Sequence, residues 1–345
     1  MGKHSIYVRL IRLLMPDASP PAFVERRTIP IYALLVVVVL GITVAVYLTD
    51  FTYDHASLDR PLACLAALCA CGCGLRRVGY PRLGGLLEAS TQITALSCAA
   101  AWATVLLAAT ALPLADPLLA RADALLFLGF DWRSLLPFIA GQNKLMTFLS
   151  YAYASISWQP GMILVALFAS GKCGRSWTFV LAWGVTLAIS AALFPLLPAL
   201  GTYLHFGIPS GDVPGILVPA AWRHVELLLP VRDGHMRSIS PDALYGIVTF
   251  PSFHAAAAVL LGWAGWALRP LRWPCVLLNG AMFASALIIG GHYLIDLAAG
   301  GVIAAAAILA SASLAAHFEK GPRKVRSRKA EDLRTYSTQS RPMSR

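Results

Sequence analysis

Long apolar runs separated by short polar breaks dominate the chain. They lie near residues 29–48, 60–75, 89–111, 145–170, 177–198, 252–268, 273–290 and 292–315. Runs of about 20 apolar residues with few charges mark helices that cross a bilayer. The pattern predicts an all-α polytopic membrane protein with about eight transmembrane helices. The run at 60–75 is the shortest. Gln159-Pro160 interrupts the run at 145–170, and proline inside a helix removes a hydrogen bond, so a kink is expected there. Between the third and fourth runs, Pro113 to Asp123 reads as an amphipathic helix lying at the interface, and residues 199–250 are a long loop rich in Gly, Pro and charge.

Composition agrees with the pattern. The 345 residues are 58% hydrophobic and 13% charged, whereas soluble domains carry about 25% charge. With the N-terminus cytoplasmic and all eight runs crossing, 21 of the 28 basic residues fall on the cytoplasmic side and every short inner loop is basic. That is the positive-inside distribution. Without a crossing at 60–75, Arg76, Arg77 and Arg82 would move outward. The net charge of +11 is therefore topological, and nucleic acid is excluded as a partner.

The organisation that follows begins with a basic cytoplasmic head at 1–28, with a short interfacial helix around Ile6–Leu14. Membrane helices occupy 29–198, with an outer interfacial helix near 113–130. An extracytoplasmic loop fills 199–250, and a second set of membrane helices fills 251–315. A basic cytoplasmic tail at 316–345 lies close to anionic lipid. Both termini are expected in the cytoplasm of a multi-pass protein of the bacterial inner-membrane type. The first apolar run follows a proline-containing basic head without a cleavage site, so no cleavable signal peptide is expected. The seven cysteines fall in spans or on the cytoplasmic side, so no structural disulfide is expected. The Cys69-Ala70-Cys71-Gly72-Cys73 cluster reads as small residues within a span.

Two segments carry the chemistry, Pro251-Ser252-Phe253-His254 and Gly290-Gly291-His292-Tyr293-Leu294-Ile295-Asp296. Each places a histidine where a membrane helix meets water, and in this topology both lie on the extracytoplasmic side. Ionisable groups at that depth are costly and point to function. Asp296 follows His292 by four residues, a spacing that stacks both side chains on one helix face. A carboxylate beside an imidazole fixes its tautomer and makes it a better nucleophile or base. Pro251 and Ser252 suit the first turn of a helix, whose free N–H groups favour an anion. Gly290 and Gly291 allow close approach of the chain before His292. The loop Arg232-Asp233-Gly234-His235-Met236-Arg237 delivers Arg232 and Arg237 toward the same entrance, where a guanidinium can bind phosphate bidentately. The candidate catalytic set is His254, His292 and Asp296. The candidate substrate-binding set is Arg232, Arg237, Ser252, Phe253 and Gly291. Two histidines, a carboxylate and an anion cradle suit in-line phosphoryl transfer through a histidine.

PSFH at 251–254 and HYLID at 292–296, followed by Leu297-Ala298-Ala299-Gly300, resemble the type 2 phosphatidic acid phosphatase / vanadium haloperoxidase superfamily, with its Pro-Ser-x-His and later His-x-x-x-Asp. The resemblance covers residues 223–315 and implies a phosphatidic-acid-phosphatase-like helical core. It implies His292 as nucleophile, Asp296 as its orienting carboxylate and His254 as the acid that protonates the leaving alcohol. Ser252 and the backbone near Phe253 would help hold the phosphate. It further implies a phosphohistidine intermediate with no metal or other cofactor. Two family features are missing. Ala286, after Ser285, stands where the family has an arginine, and the Lys-x6-Arg-Pro block has no match, with Arg223, Arg232 and Arg237 the substitutes in that region. The same loss, together with GGHYLID and the Arg-Asp-Gly before PSFH, looks like the inositol phosphorylceramide synthase branch, which is inositolphosphotransferase-like.

The expected activity is lipid phosphotransfer, from a phospholipid or lipid-phosphate substrate to a polyol or lipid alcohol acceptor. The alternative within the same chemistry is a lipid or isoprenoid phosphate phosphatase with water as acceptor. Two histidines and a carboxylate could also bind iron or zinc, although HExxH is absent, and eight spans with a basic tail also suit a transporter or scaffold. Asp116 and Asp123 read as caps or outer-face polar residues, and His205, His224 and His235 as loop residues.

Overall fold

A computed structural model describes residues 11, 13–15, 22–126, 128–129, 131–244 and 246–320. The chain folds as α1 (Ala22–Leu48), α2 (His55–Arg77), α3 (Pro81–Ala108), α4 (Asp116–Leu126), α5 (Leu136–Ala140), α6 (Asn143–Ala154), α7 (Gln159–Ala169) and α8 (Cys173–Leu193). It continues through α9 (Thr202–His205), α10 (Ala220–Arg232), α11 (Phe253–Trp266), α12 (Arg272–Ile288) and α13 (Leu294–Lys320). Among the described residues the only sheet is the parallel pairing of β1 (Thr52–Tyr53) with β2 (Ser238–Ile239), Thr52 opposite Ser238. The expected interfacial helix around Ile6–Leu14 lies largely outside the described residues, and the tail beyond Lys320 lies wholly outside them.

Six helices among the described residues are long and apolar enough to cross a membrane: Arg26–Leu48, His55–Arg77, Pro81–Ala108, Cys173–Leu196, Arg269–Ile288 and Leu294–His317. This is an all-α, multi-pass membrane protein. The short run at 60–75 lengthens to the 23 residues of α2 because the Asp54 side chain accepts from the Ser57 N–H and starts the helix early. The expected count of about eight is lowered at two places. The run at 145–170 is broken into α6 and α7, bent by 60°, and makes a seventh crossing only if the pair is one span. Pro160 sits in the first turn of α7, where its missing N–H costs nothing. It therefore starts a new helix rather than kinking an old one. Polar side chains fill the break: Gln159 donates to Ser155 Oγ at 2.7 Å and accepts from Asn279 Nδ2 at 2.9 Å. The run at 252–268 forms α11, only 14 residues long. That is about 21 Å, short of a hydrocarbon core of about 30 Å. Ser252 caps its start, and Pro270, which cannot continue a helix, follows its end.

The interior core is built from α3, α7, α8, α11 and α13, with Leu164, Leu167, Phe168, Phe179, Val180, Leu260 and Leu261 at its centre. In contrast, α1 turns Val36, Val37, Leu40 and Val44 outward, the face expected against lipid. The segment 199–250, expected as a loop, is partly structured. α10 buries Leu227, Leu228 and Val231, packing with Trp102 and Val105 of α3.

Candidate active site

The two motif segments meet through their backbones. Ser252 has extended backbone angles, and its side chain accepts from the Ala255 N–H at 3.3 Å. This is an N-cap, so helical geometry begins at Phe253 and puts His254 on the first turn of α11. The Ser252 N–H donates to the Asp296 carbonyl at 3.1 Å. Gly300, one turn further along α13, leaves room for the Ser252 carbonyl, which any side chain there would strike.

His292 stands just ahead of α13 rather than on it. Gly291 takes φ +63°, a left-handed conformation that favours glycine, and a Cβ there would lie 2.8 Å from Ala221 Cβ. The chain leaves α12 at this point, and α13 restarts at Leu294. The expected stacking on one helix face is thereby replaced by a cap-like reach. Asp296 Oδ2 lies 3.2 Å from His292 Nδ1 and accepts from the Tyr293 N–H at 2.9 Å. Both residues are buried, Asp296 completely. With Nδ1 turned to the carboxylate, Nε2 is the nitrogen left for chemistry.

The His254 ring stacks on Tyr153, with centroids 3.8 Å apart and planes at 12°. Tyr153 also lies against Gly290, where an added Cβ would meet both the Tyr153 ring and His292 Cδ2 within 3.1 Å. His254 and His292 are close enough for a charge on one to act on the other. His254, His292, Asp296, Ser252 and Gly291 are thus gathered at one place. The ring of Phe253 packs edge-on to Trp183 at 5.2 Å, against the interior core.

Arg232 and Arg237 are engaged elsewhere. Arg232 Nη2 donates to the Leu112 carbonyl at 2.7 Å, while its Nη1 is buried without a hydrogen-bond partner. Arg237 donates to the carbonyls of Val231 and Met236 and lies over the Phe51 ring. Their described contacts include none with His254, His292 or Asp296. Ala286 is fully buried beside Ala255 and Leu297, so the position of the family arginine is packed into the core.

Several residues that hold the site were read only as caps or loop residues. The carboxylate of Asp116 accepts from the Leu200 and Gly201 N–H groups and from the Tyr293 hydroxyl, each at 2.9 Å. Asp123 accepts from the N–H groups of Leu294 and Ile295 at 2.9 and 2.7 Å. Burial holds the Asp123 carboxyl above the usual range, opposed by those two N–H donors. The amphipathic α4 is therefore docked by its polar face onto the start of α13. The seven-residue spacing, which puts both aspartates on one face, was the available signal. Gly291 is pinned through its carbonyl, which accepts from Thr202 N and Oγ1 at 2.8 and 2.9 Å. His224 is buried on α10, with its ring nitrogens 3.0 Å from the Ala220 and Leu200 carbonyls. Two facing carbonyls favour imidazolium, but burial first and the charge of His292 second oppose it, and the balance lowers the His224 pKa.

A family model described as the PAP2 superfamily matches residues 117–310, more than half of the chain. The chain belongs to the PAP2 superfamily. The PAP2 match starts within α4 and runs into α13, so it takes in both motif segments and the whole of 199–250. Membership brings a lipid phosphatase or phosphotransferase type of function and a lipid phosphate as the class of substrate. α1 to α3 lie outside the matched PAP2 segment. No curated protein and no solved structure matches the chain. Among the described residues no three His, Cys, Asp or Glu side chains are grouped to hold a metal ion.

Proposed function

We propose that this PAP2 protein is a membrane-embedded lipid phosphotransferase that works through a phosphohistidine on His292 at the extracytoplasmic face. The observation that carries the reading is the buried 3.2 Å contact of His292 Nδ1 with Asp296, which leaves Nε2 to attack phosphorus. Asp296 orients the ring and stabilises its charge as the P–N bond forms. The bond from phosphorus to the leaving oxygen breaks, and His254 gives that oxygen its proton. In the second half His254 takes the proton of the incoming hydroxyl, whose oxygen attacks phosphorus and releases His292. The N–H groups of Phe253 and His254 have no acceptor within α11 and are the donors proposed for the phosphate, with Ser252 fixing the turn. Arg232 has a donor to spare in Nη1; Arg237 has its guanidinium committed to the loop. No metal takes part in these steps.

The buried alanine at 286 supports a place near the inositol phosphorylceramide synthase branch, with a polyol or lipid alcohol as acceptor. The second reading within this chemistry is a phosphatase for a lipid or isoprenoid phosphate, with water as acceptor. The division into head, membrane helices, loop 199–250, catalytic helices 251–315 and basic tail, with both termini in the cytoplasm of a bacterial inner membrane, belongs to the same proposal.

Acid-labile phosphate trapping tests it. Protein in detergent is incubated with radiolabelled phospholipids and isoprenoid phosphates and quenched fast. Label on the wild type, absent from His292→Ala and accumulating in His254→Ala with a labile donor, is the expected result. A folded protein that takes no label from any donor would sink the phosphohistidine. Product analysis with and without added alcohol separates transferase from phosphatase, and activity that disappears on exhaustive chelation would overturn metal independence. A bell-shaped pH–rate profile is expected, since His292 must be neutral and His254 protonated.

A further inference from the structure

The opposite end of α11 from His254 opens into a cavity of about 610 Å³ lined by Ser170, Lys172, Arg175, Trp266, Arg269 and Arg272, among others, and by no carboxylate. It lies between the α7–α8 turn and the α11–α12 turn. Trp266 and Phe253 are the two ends of the 14-residue α11, so the cavity is about 20 Å from His254.

Positive-inside topology explains why these loops are basic. It does not explain how the cations are held. Arg175 lies over the Trp263 ring at 3.2 Å and donates to the Trp263 carbonyl, while its Nε is buried without a partner. Arg272 lies over the Trp266 ring at 4.4 Å and donates from Nε to the Trp266 carbonyl at 3.0 Å. Trp266 is braced edge-on by Trp273 at 5.6 Å. Stacked guanidinium groups have lost much of their conformational freedom before any ligand arrives. The starts of α8 and α12 and the ends of α7 and α11 meet here, so opposed helix ends largely offset one another. The side-chain cations therefore set the potential. Four of them face one concavity without a counter-charge among its lining residues.

We infer that this cavity binds one anionic phosphate group, as a phospholipid headgroup or a soluble phosphate ester, at the face of the membrane opposite the histidines. Arg175 and Arg272 supply fixed forks, and Lys172 and Arg269 supply mobile charge. The site is separate from the one that carries phosphotransfer.

The test uses the full-length protein in non-ionic detergent and native mass spectrometry. Short-chain phosphatidylglycerol, phosphatidylcholine and glycerol phosphate are the probes. One phosphatidylglycerol per chain is expected to be retained at concentrations where phosphatidylcholine is not. Lys172→Gln with Arg269→Gln should weaken that binding by roughly tenfold or more, whereas His292→Ala should leave it unchanged. Displacement by glycerol phosphate at similar concentration identifies a soluble ester as the ligand; failure to displace identifies the lipid. Equal retention of the two lipids, or unchanged affinity in the double variant, overturns the inference. If the double variant does not fold, Ser170→Glu, which puts a carboxylate into the cavity, is read instead. Unchanged binding there is equally fatal.

Discussion

Among the described residues two carboxylates are completely buried in the membrane helices, Glu88 on α3 and Asp296 in the PAP2 segment, and their partners differ in kind. Glu88 on α3 lies 2.7 Å from Arg76 Nε, off the line of an aligned hydrogen bond, and accepts from the Tyr32 hydroxyl at 2.6 Å. It ties α1, α2 and α3 together. Asp296 faces an imidazole and one backbone N–H. A guanidinium stays charged at any physiological pH, so the Glu88 cluster is a lock with one state. An imidazole can donate, accept or form a bond through its second nitrogen, so the Asp296 pair has chemistry open to it that the Glu88 cluster lacks. Burial is common to both; what differs is the chemistry open to the partner, a guanidinium that only donates against an imidazole that can also act as a nucleophile.

The comparison breaks most sharply at Asp296. Asp296→Asn keeps the shape but loses the charge that orients His292, and turnover should fall by roughly 10²–10⁴ with the melting temperature little changed. A variant that loses its fold as readily as its turnover would remove the distinction. Glu88→Gln should do the reverse. It leaves Arg76 buried without its counter-charge, at a cost of about 3–5 kcal/mol, read as a lower melting temperature with turnover per folded molecule kept. The pair Glu88→Gln with Arg76→Met should recover most of that loss, because replacing both members of a buried pair is often near neutral.

Asp123→Asn stands between the two. Its carboxylate fixes the backbone at Leu294 and Ile295, and losing two charge-assisted bonds should cost about 1–3 kcal/mol. The further expectation is a modest fall in turnover with an unchanged pH profile, whereas a shifted profile would put Asp123 in direct contact with the chemistry. The smallest effect concerns pH. Burial lowers the His224 pKa below its unfolded value near 6.5, so the unfolded form binds the proton more tightly. The stability of the α9–α10 segment is then full above that pH and falls as pH drops through it, by at most about 1.4 kcal/mol per pH unit. Corrected for the fall of the intrinsic exchange rate with pH, amide protection across 202–224 should drop between pH 6.5 and 5 in the wild type and not in His224→Gln.

The spans were legible because lipid imposes its length on sequence: α2, α3, α8, α12 and α13 all lie where apolar runs predict them. The two motif segments were legible because a histidine at the end of an apolar run is conspicuous. The rest depends on contacts between residues far apart in the chain. Asp116 and Asp123 bind backbone groups more than 80 positions away, and no local pattern encodes that. Glu88 reads as one charge in an apolar run until Arg76 and Tyr32 are set beside it. Arg232 and Arg237 were placed by proximity in sequence to Pro251, but Arg237 donates to the nearby carbonyls of Val231 and Met236 and Arg232 to the distant carbonyl of Leu112. The helix-face relation of His292 to Asp296 held only in outcome, because the Gly290-Gly291 break put His292 outside α13.

On the proposed mechanism, the shortness of α11 sets how deep in the membrane the reaction happens. At about 21 Å it falls about 9 Å short of an ordinary hydrocarbon layer, so with its Trp266 end at one face of the membrane, His254 on the first turn would lie below the plane where phosphates normally sit at the other. A lipid headgroup must sink to reach it, or the bilayer must thin around the protein. Either way a substrate drawn to His254 would leave much of its water behind. Lipid thickness thereby becomes a control on rate: turnover should slow as acyl chains lengthen, in a protein whose chemistry makes no contact with their ends.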